Sequence, residues 1–197
     1  MLVTKITEQK KQPKRVNIFI DNTYCFSLTI AQLLDEKIKV GLEVTEPDIT
    51  KYKKLSEDGK IKMRALEWLM IRPRSAKELH DYLRRKKVDA EQAVGWVVEF
   101  QSHNYQNDES FARWWVDQRR TKQRSAKYIQ QELRSKGVDS AIIQQALIED
   151  EATDSAALKD LIVKKRRNAK YQEDKKLIEY LLRQGYRYSD ISDALAE

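Results

Sequence analysis

Apolar and polar residues alternate over 16–28. Val16, Ile18 and Ile20 point one way, Asp21-Asn22 supplies a turn, and Tyr24, Phe26 and Leu28 follow on the return. Period-two alternation marks a half-buried strand, and Asp-Asn tolerates the positive φ of a two-residue hairpin turn. The pattern predicts one β-hairpin and no other sheet. A lone hairpin is marginal in water, so its apolar face needs a partner. Thr29 and Gln32 form a capping-box pair that opens a short helix through Leu33, Leu34 and Ile38. Pro47 suits the first turn of a second short helix.

Beyond residue 58 the period becomes helical and the chain repeats itself. Arg74-Ser75-Ala76-Lys77 recurs 50 residues later as Arg124-Ser125-Ala126-Lys127, and the same offset carries Leu79 onto Ile129, Leu83 onto Leu133 and Val88-Asp89 onto Val138-Asp139. A further offset of 48 carries Ile129 onto Leu177, Leu133 onto Leu181, Gly137 onto Gly185 and Ile143 onto Ile191. One register shared by three segments indicates a repeat array. Each repeat reads as three helices. The first carries Leu66, Leu69 and Met70, then Phe111 and Trp115, then Leu158, Leu161 and Ile162. The second carries the i, i+4 pairs Leu79/Leu83, Ile129/Leu133 and Leu177/Leu181. The third carries Val94 and Val97, then Ile142, Ile143, Ala146 and Leu147, then Ile191, Ala194 and Leu195. Ser75 with Glu78 forms a capping box, and Ser125 sits at the equivalent place. Gly137 and Gly185 fit the left-handed position that ends a helix, where the first repeat has Lys87. The predicted fold is mainly α: tandem three-helix repeats in an elongated array, with a small N-terminal β-hairpin. The expected borders are 1–57 for the hairpin and short helices, then 58–107, 108–150 and 151–197 for the repeats.

Composition supports a helical chain. Only 5 Gly and 3 Pro occur in 197 residues, too few for a turn-rich sandwich or barrel. Lys and Arg number 38 against 31 Asp and Glu, and the net charge of +7 favours an anionic partner, nucleic acid first. The single Cys25 excludes an internal disulfide and a cysteine-rich zinc site, and His80 and His103 cannot replace it with a histidine cluster. The N-terminus lacks a signal-peptide core, and Trp68-Leu69-Met70-Ile71 falls far short of the ~20 residues that span a bilayer. A cytoplasmic monomer without cofactor or membrane contact is expected.

Catalytic motifs are missing. The glycines are isolated, so neither a P-loop nor a dinucleotide fingerprint exists, and there is no Gly-x-Ser-x-Gly or His-Glu-x-x-His. A non-enzyme is expected. Glu149, Asp150, Glu151 and Asp154 are acidic, but a magnesium-dependent nuclease needs carboxylates converging from different elements. A run of neighbouring charges is ordinarily a solvated surface. Basic residues gather once per repeat: Arg72 and Arg74, with Arg84, Arg85, Lys86 and Lys87; then Arg113, Arg119, Arg120, Lys122, Arg124, Lys127, Arg134 and Lys136; then Lys164, Lys165, Arg166 and Arg167. This recurrence predicts a stripe for a long polyanion or a repeating filament; the alternative is a set of solvated helix faces. The group from Arg119 to Lys127 is expected to be exposed. Trp68, Trp96, Trp114 and Trp115 are candidates for stacking on bases. Trp115, four residues after Phe111, belongs in the core, and Trp114 beside it is expected between repeats.

The motifs resemble the RecX family of bacterial recombinase regulators. Arg72-Pro73-Arg74-Ser75 with Glu78-Leu79, Leu83 and Lys86 looks like one family signature, and Asp108-Glu109-Ser110-Phe111-Ala112 like a second. Gln131-Glu132-Leu133-Arg134-Ser135-Lys136-Gly137-Val138 is similar to a third. Tyr180-Leu181-Leu182-Arg183-Gln184-Gly185-Tyr186, with Ser189-Asp190-Ile191, is similar to the C-terminal one. The chain departs from the family at Asn107, where an acidic residue is common, and at Lys87, where Gly is usual. The resemblance implies a three-helix-repeat protein that lies in the groove of the RecA–DNA filament and damps its ATPase and strand-exchange activities. The basic positions would then meet RecA, or single- or double-stranded DNA through its phosphates. The rival functions are an autonomous DNA-binding protein or transcription factor, and a magnesium-dependent nuclease.

Overall fold

A computed structural model describes residues 1–10, 12–150 and 153–196. By contacts the chain divides into two units, Met1–Trp68 with Leu83–Asp89, and Leu69–Tyr82 with Ala90–Glu197.

The first unit opens with three antiparallel strands, β1 (Val3–Gln9), β2 (Gln12–Ile20) and β3 (Thr23–Thr29), in the order β1-β2-β3. The hairpin β2-β3 turns through Asp21 and Asn22, both at positive φ. Its sheet has one strand more than predicted. A register shift between Val3 and Lys5 changes the phase of β1, so Val3 and Ile6 both pack on the core despite their odd spacing. No period-two pattern therefore marks β1. A second shift, between Ile18 and Phe19, sets Ile18 against Phe26 but Phe19 against Tyr24. Tyr24 accordingly stands exposed, edge-on to Phe19 at 6.0 Å, and not beside Phe26 and Leu28 as expected. The apolar sheet face packs with α1 (Ile30–Asp35), the loop carrying Ile38 and Val44, and the start of α2 through Ile49 and Tyr52. The Thr29–Gln32 capping box forms as read.

Helix α2 (Glu46–Ile71) is one uninterrupted helix of 26 residues, where the sequence suggested a short helix and then a new repeat. The expected border at 57/58 lies within it. Met70, expected in the core, is exposed at its C-terminal end.

Helices α3 (Ala76–Arg85) and α4 (Ala90–Ser102) follow. The second repeat is α5 (Asp108–Arg120), α6 (Ala126–Ser135) and α7 (Ser140–Ile148). The third is α8 (Asp154–Arg166), α9 (Asp174–Arg183) and α10 (Tyr188–Ala196), with a 3-10 turn at Ala169–Tyr171. Residues 151 and 197, the ends of the expected third repeat, lie outside the described residues. The i, i+4 stripe of the second helices is fully buried in all three repeats: Leu79, Leu83, Ile129, Leu133, Leu177 and Leu181 are each 0% exposed. Val94 is exposed instead of buried, since α4 turns Ala93, Trp96, Val97 and Phe100 inward. Lys87, Gly137 and Gly185 all adopt positive φ, as the shared register requires.

Candidate functional site

The joints between repeats fix where the basic residues go. At the first joint, Asp108, the first residue of α5, accepts the Ala76 N–H of α3 at 2.9 Å. At the second, Asp154, the first residue of α8, accepts the Ala126 N–H of α6 at 2.9 Å. The second helices of the first two repeats therefore each have an N-terminal amide satisfied by a carboxylate from the following repeat, where the helix dipole also favours negative charge. Gly137 and Gly185 pack on the same two helix ends, where added Cβ atoms would lie 3.0 Å from Lys77 Cβ and 2.6 Å from Tyr128 Cβ.

Several predicted site residues are consumed by these joints. Ser75 Oγ accepts the Glu78 N–H, and the Glu78 carboxylate receives Arg72 at 3.1 Å and Lys136 at 2.8 Å. Burial alone would raise the Glu78 carboxyl, but the hydrogen bonds from Arg72 and Lys136 outweigh it and hold the pKa below its ordinary value. Arg72 also lies over Trp114 at 5.1 Å, which places that tryptophan between repeats as expected. Lys136 and Arg119 lie over Trp115 at 4.4 and 4.2 Å, and Glu132 accepts both Arg119 Nε at 2.6 Å and Trp115 Nε1 at 3.0 Å. Arg74 is half-buried and its carbonyl accepts Gln106.

Arg120 corrects the expectation of an exposed basic group. Its guanidinium donates to Asp150 and Asp154 at 2.6 Å each and to the Arg124 carbonyl at 3.0 Å, and its side chain is 12% exposed. Burial would lower its pKa, but the hydrogen bonds and charges of Asp154 and Asp150 outweigh it and raise the pKa above the ordinary value. Arg124 is half-buried, lies over Tyr128 at 4.4 Å and donates to the Arg183 carbonyl at 3.1 Å. Arg166 is turned onto the Tyr171 and Gln172 carbonyls and Asp174, and Lys165 covers Tyr180 at 4.5 Å.

The remaining predicted positions face solvent: Arg113, Lys122, Lys127, Arg134, Lys164 and Arg167. Arg113 makes a loose pair with Glu149 at 3.7 Å. The acidic cluster is occupied in the same way. Asp150 and Asp154 hold Arg120, Glu149 faces Arg113, and Glu151 lies outside the described residues. Among the described residues no group of three potential metal ligands converges, and no helix is long and apolar enough to cross a membrane. Trp96 and Trp115 are buried, so neither presents a face to a base.

Among the exposed cations outside the sequence-based selection are Arg183 and Arg187, on either side of Gly185. Recurrence does not mark them, because the 48-residue offset that carries Gly137 onto Gly185 places Arg183 on Ser135 and Arg187 on Asp139, neither of them basic.

Comparison with known proteins agrees along the chain. The profile for the regulatory protein RecX N-terminal domain matches residues 1–45, that for the first RecX three-helix domain 62–97, and that for the second 107–147. Regulatory protein RecX of Bacillus licheniformis is 34% identical over 202 residues, covering 99% of this chain and 76% of its own. That of Bacillus subtilis is 31% identical, covering 98% and 75%. A crystal structure of regulatory protein RecX superposes with a TM-score of 0.76 over 100% of this chain and 99% of the other, at 21% identity. A RecX structure from Lactobacillus salivarius gives 0.58 over 71% and 95%, at 23% identity. At these identities the two solved structures speak for the fold.

Proposed function

The chain belongs to the RecX family of regulatory proteins, and we propose that it binds the RecA–DNA filament and restrains RecA's ATPase, recombinase and strand-exchange activities. The observation that carries this reading is the end-to-end similarity to proteins named Regulatory protein RecX. It acts as a non-enzymatic cytoplasmic monomer without cofactor, serving recombination, repair and the SOS response. The cations that the joints leave on the surface support a partner rich in negative charge, either the acidic surface of the filament or DNA phosphates. Lys122, Arg134 and Arg167 are the contacts to test first, because exposed side chains can be replaced within about 0.5 kcal/mol of folding energy.

The test is RecA ATPase on single-stranded DNA, titrated with this protein. The parent is expected to inhibit. The triple variant Lys122→Glu, Arg134→Glu and Arg167→Glu should keep its helicity and melting temperature and need at least about tenfold more protein for the same inhibition, the equivalent of ~1.4 kcal/mol. A parent that leaves RecA unaffected would sink the filament reading. A folded triple variant as potent as the parent would move the contact to another face.

A further inference from the structure

The two joints are built alike, but they carry different chemistry on their outer lips. At the second joint a cleft of about 560 Å³ opens between α6 and the turn from α9 to α10. Lys127, Tyr128 and Gln131 come from α6; Arg183, Arg187 and Tyr188 come from the turn and its flanks. Its described lining holds three cations, two tyrosines besides the buried Tyr186, and no carboxylate. The repeat register places Glu78 and Asp81 of the first joint where Tyr128 and Gln131 stand, and Ser135, Asp139 and Ser140 where Arg183, Arg187 and Tyr188 stand. The first joint has Lys77 at the Lys127 position, but it is formed without the two arginines and without the tyrosines. Holding two repeats together therefore does not explain their presence at the second.

From this contrast we propose that the cleft is a binding site for single-stranded nucleic acid, with phosphates on Lys127, Arg183 and Arg187 and an unstacked base against the ring of Tyr188. Tyr188 is 62% exposed, so its ring is open to a ligand, and all three cations face solvent. The walls are fixed in advance. Ser125 N–H donates to the Gln184 carbonyl at 3.2 Å, Arg124 to the Arg183 carbonyl at 3.1 Å, and Tyr186 hydroxyl to the Gln123 carbonyl at 3.0 Å. Arg124 takes the part that Lys77 plays at the first joint, where Lys77 donates to the Ser135 carbonyl, and Lys127 is thereby released to the cleft. The volume lies within the ~300–1,000 Å³ of clefts that take small ligands, enough for a nucleotide and too small for a duplex. A tyrosine beside cations selects a single strand, because duplex bases are already stacked and offer only phosphates. An acidic peptide would use the cations but not the exposed ring. In the adjoining cleft Asp190 also faces solvent, and it disfavours a second phosphate there, which directs the strand toward Tyr188.

The site deepens the nucleic-acid part of the function proposed above, and it is tested without RecA, so its failure would leave filament inhibition standing. Fluorescently labelled oligo-dT, a duplex of equal length and labelled polyglutamate are titrated with the full chain and its variants. Tyr188→Ala should weaken oligo-dT binding about fivefold or more, with the salt slope unchanged, and leave the duplex unaffected; Tyr188→Phe should restore it. Arg183→Gln with Arg187→Gln should flatten the slope of log affinity against log salt by about 1.4 for oligo-dT. Circular dichroism melts confirm folding. Parent-like binding of oligo-dT by folded Tyr188→Ala would overturn the site, as would equal losses for oligo-dT and polyglutamate in the arginine variant.

Discussion

Lys87 holds a left-handed backbone, φ 60°, at the position where the later repeats have Gly137 and Gly185. An L-residue pays about 1–2 kcal/mol there, through the approach of Cβ to the following carbonyl. Lys87→Gly should therefore raise the melting temperature by a few degrees, about 2–4 °C per kcal/mol for a chain of this size, in a thermal melt by circular dichroism. Glu78 makes a prediction of the opposite kind. Its folded pKa is depressed, so its contribution to stability is fully present above the ordinary carboxylate value of about 4.3 and is lost as the pH falls below it. Urea unfolding should show stability declining as the pH falls through that acid range, with a shallower decline in Glu78→Gln. The variant should already be weaker at neutral pH, because Arg72 and Lys136 lose their shared partner.

At the scale of elements, the end of α5 separates two arginine and lysine roles that look identical in sequence. Arg120 points into the second joint and Lys122, two residues on, points to water. Arg120→Ala leaves Asp150 facing a lost cation and should cost about 3 kcal/mol, the lower end for breaking a buried pair. Lys122→Ala should change stability by less than about 0.5 kcal/mol. Chemical denaturation of both variants checks the contrast. The sequence could not make this separation, because charge runs carry no phase information, whereas the apolar stripe of the second helices does. Leu79, Leu83, Ile129, Leu133, Leu177 and Leu181 were legible for that reason, and so were the caps at Ser125 and Thr29. Tyr24 and β1 were not, since a bulge inverts the phase on which strand reading depends. The continuity of α2 escaped for a third reason: its polar middle, Ser56 to Lys62, resembles a break, although Ser56 is itself buried.

At the scale of the whole molecule, binding through exposed lysines and arginines predicts a strong response to salt. Affinity for single-stranded DNA should fall with a slope of roughly 0.7 per phosphate contacted, with little dependence on base sequence. Titration of several unrelated oligonucleotides at a series of salt concentrations measures both; tight, salt-resistant binding to one duplex sequence would instead favour sequence-specific reading. Which cations make those contacts was only partly legible. Recurrence identified where positive charge gathers, but Arg72 and Arg119 are turned onto nearby Glu78 and Glu132, and the joints take Arg120 and Lys136 inward onto Asp150 and Glu78, 30 and 58 residues away in the chain. The same joints set an order in time. Helix α3 waits for Asp108, 32 residues beyond Ala76, and helix α6 waits for Asp154, 28 residues beyond Ala126. On a ribosome adding about 5–20 residues per second, each of the first two repeats spends roughly 1.5–6 seconds with the first amide of its second helix uncapped before its successor emerges. A nascent chain would thus mature from its N-terminus one repeat late, and a pause in translation just before Asp108 or Asp154 would prolong the interval in which the preceding helix end is open to a chaperone or a protease.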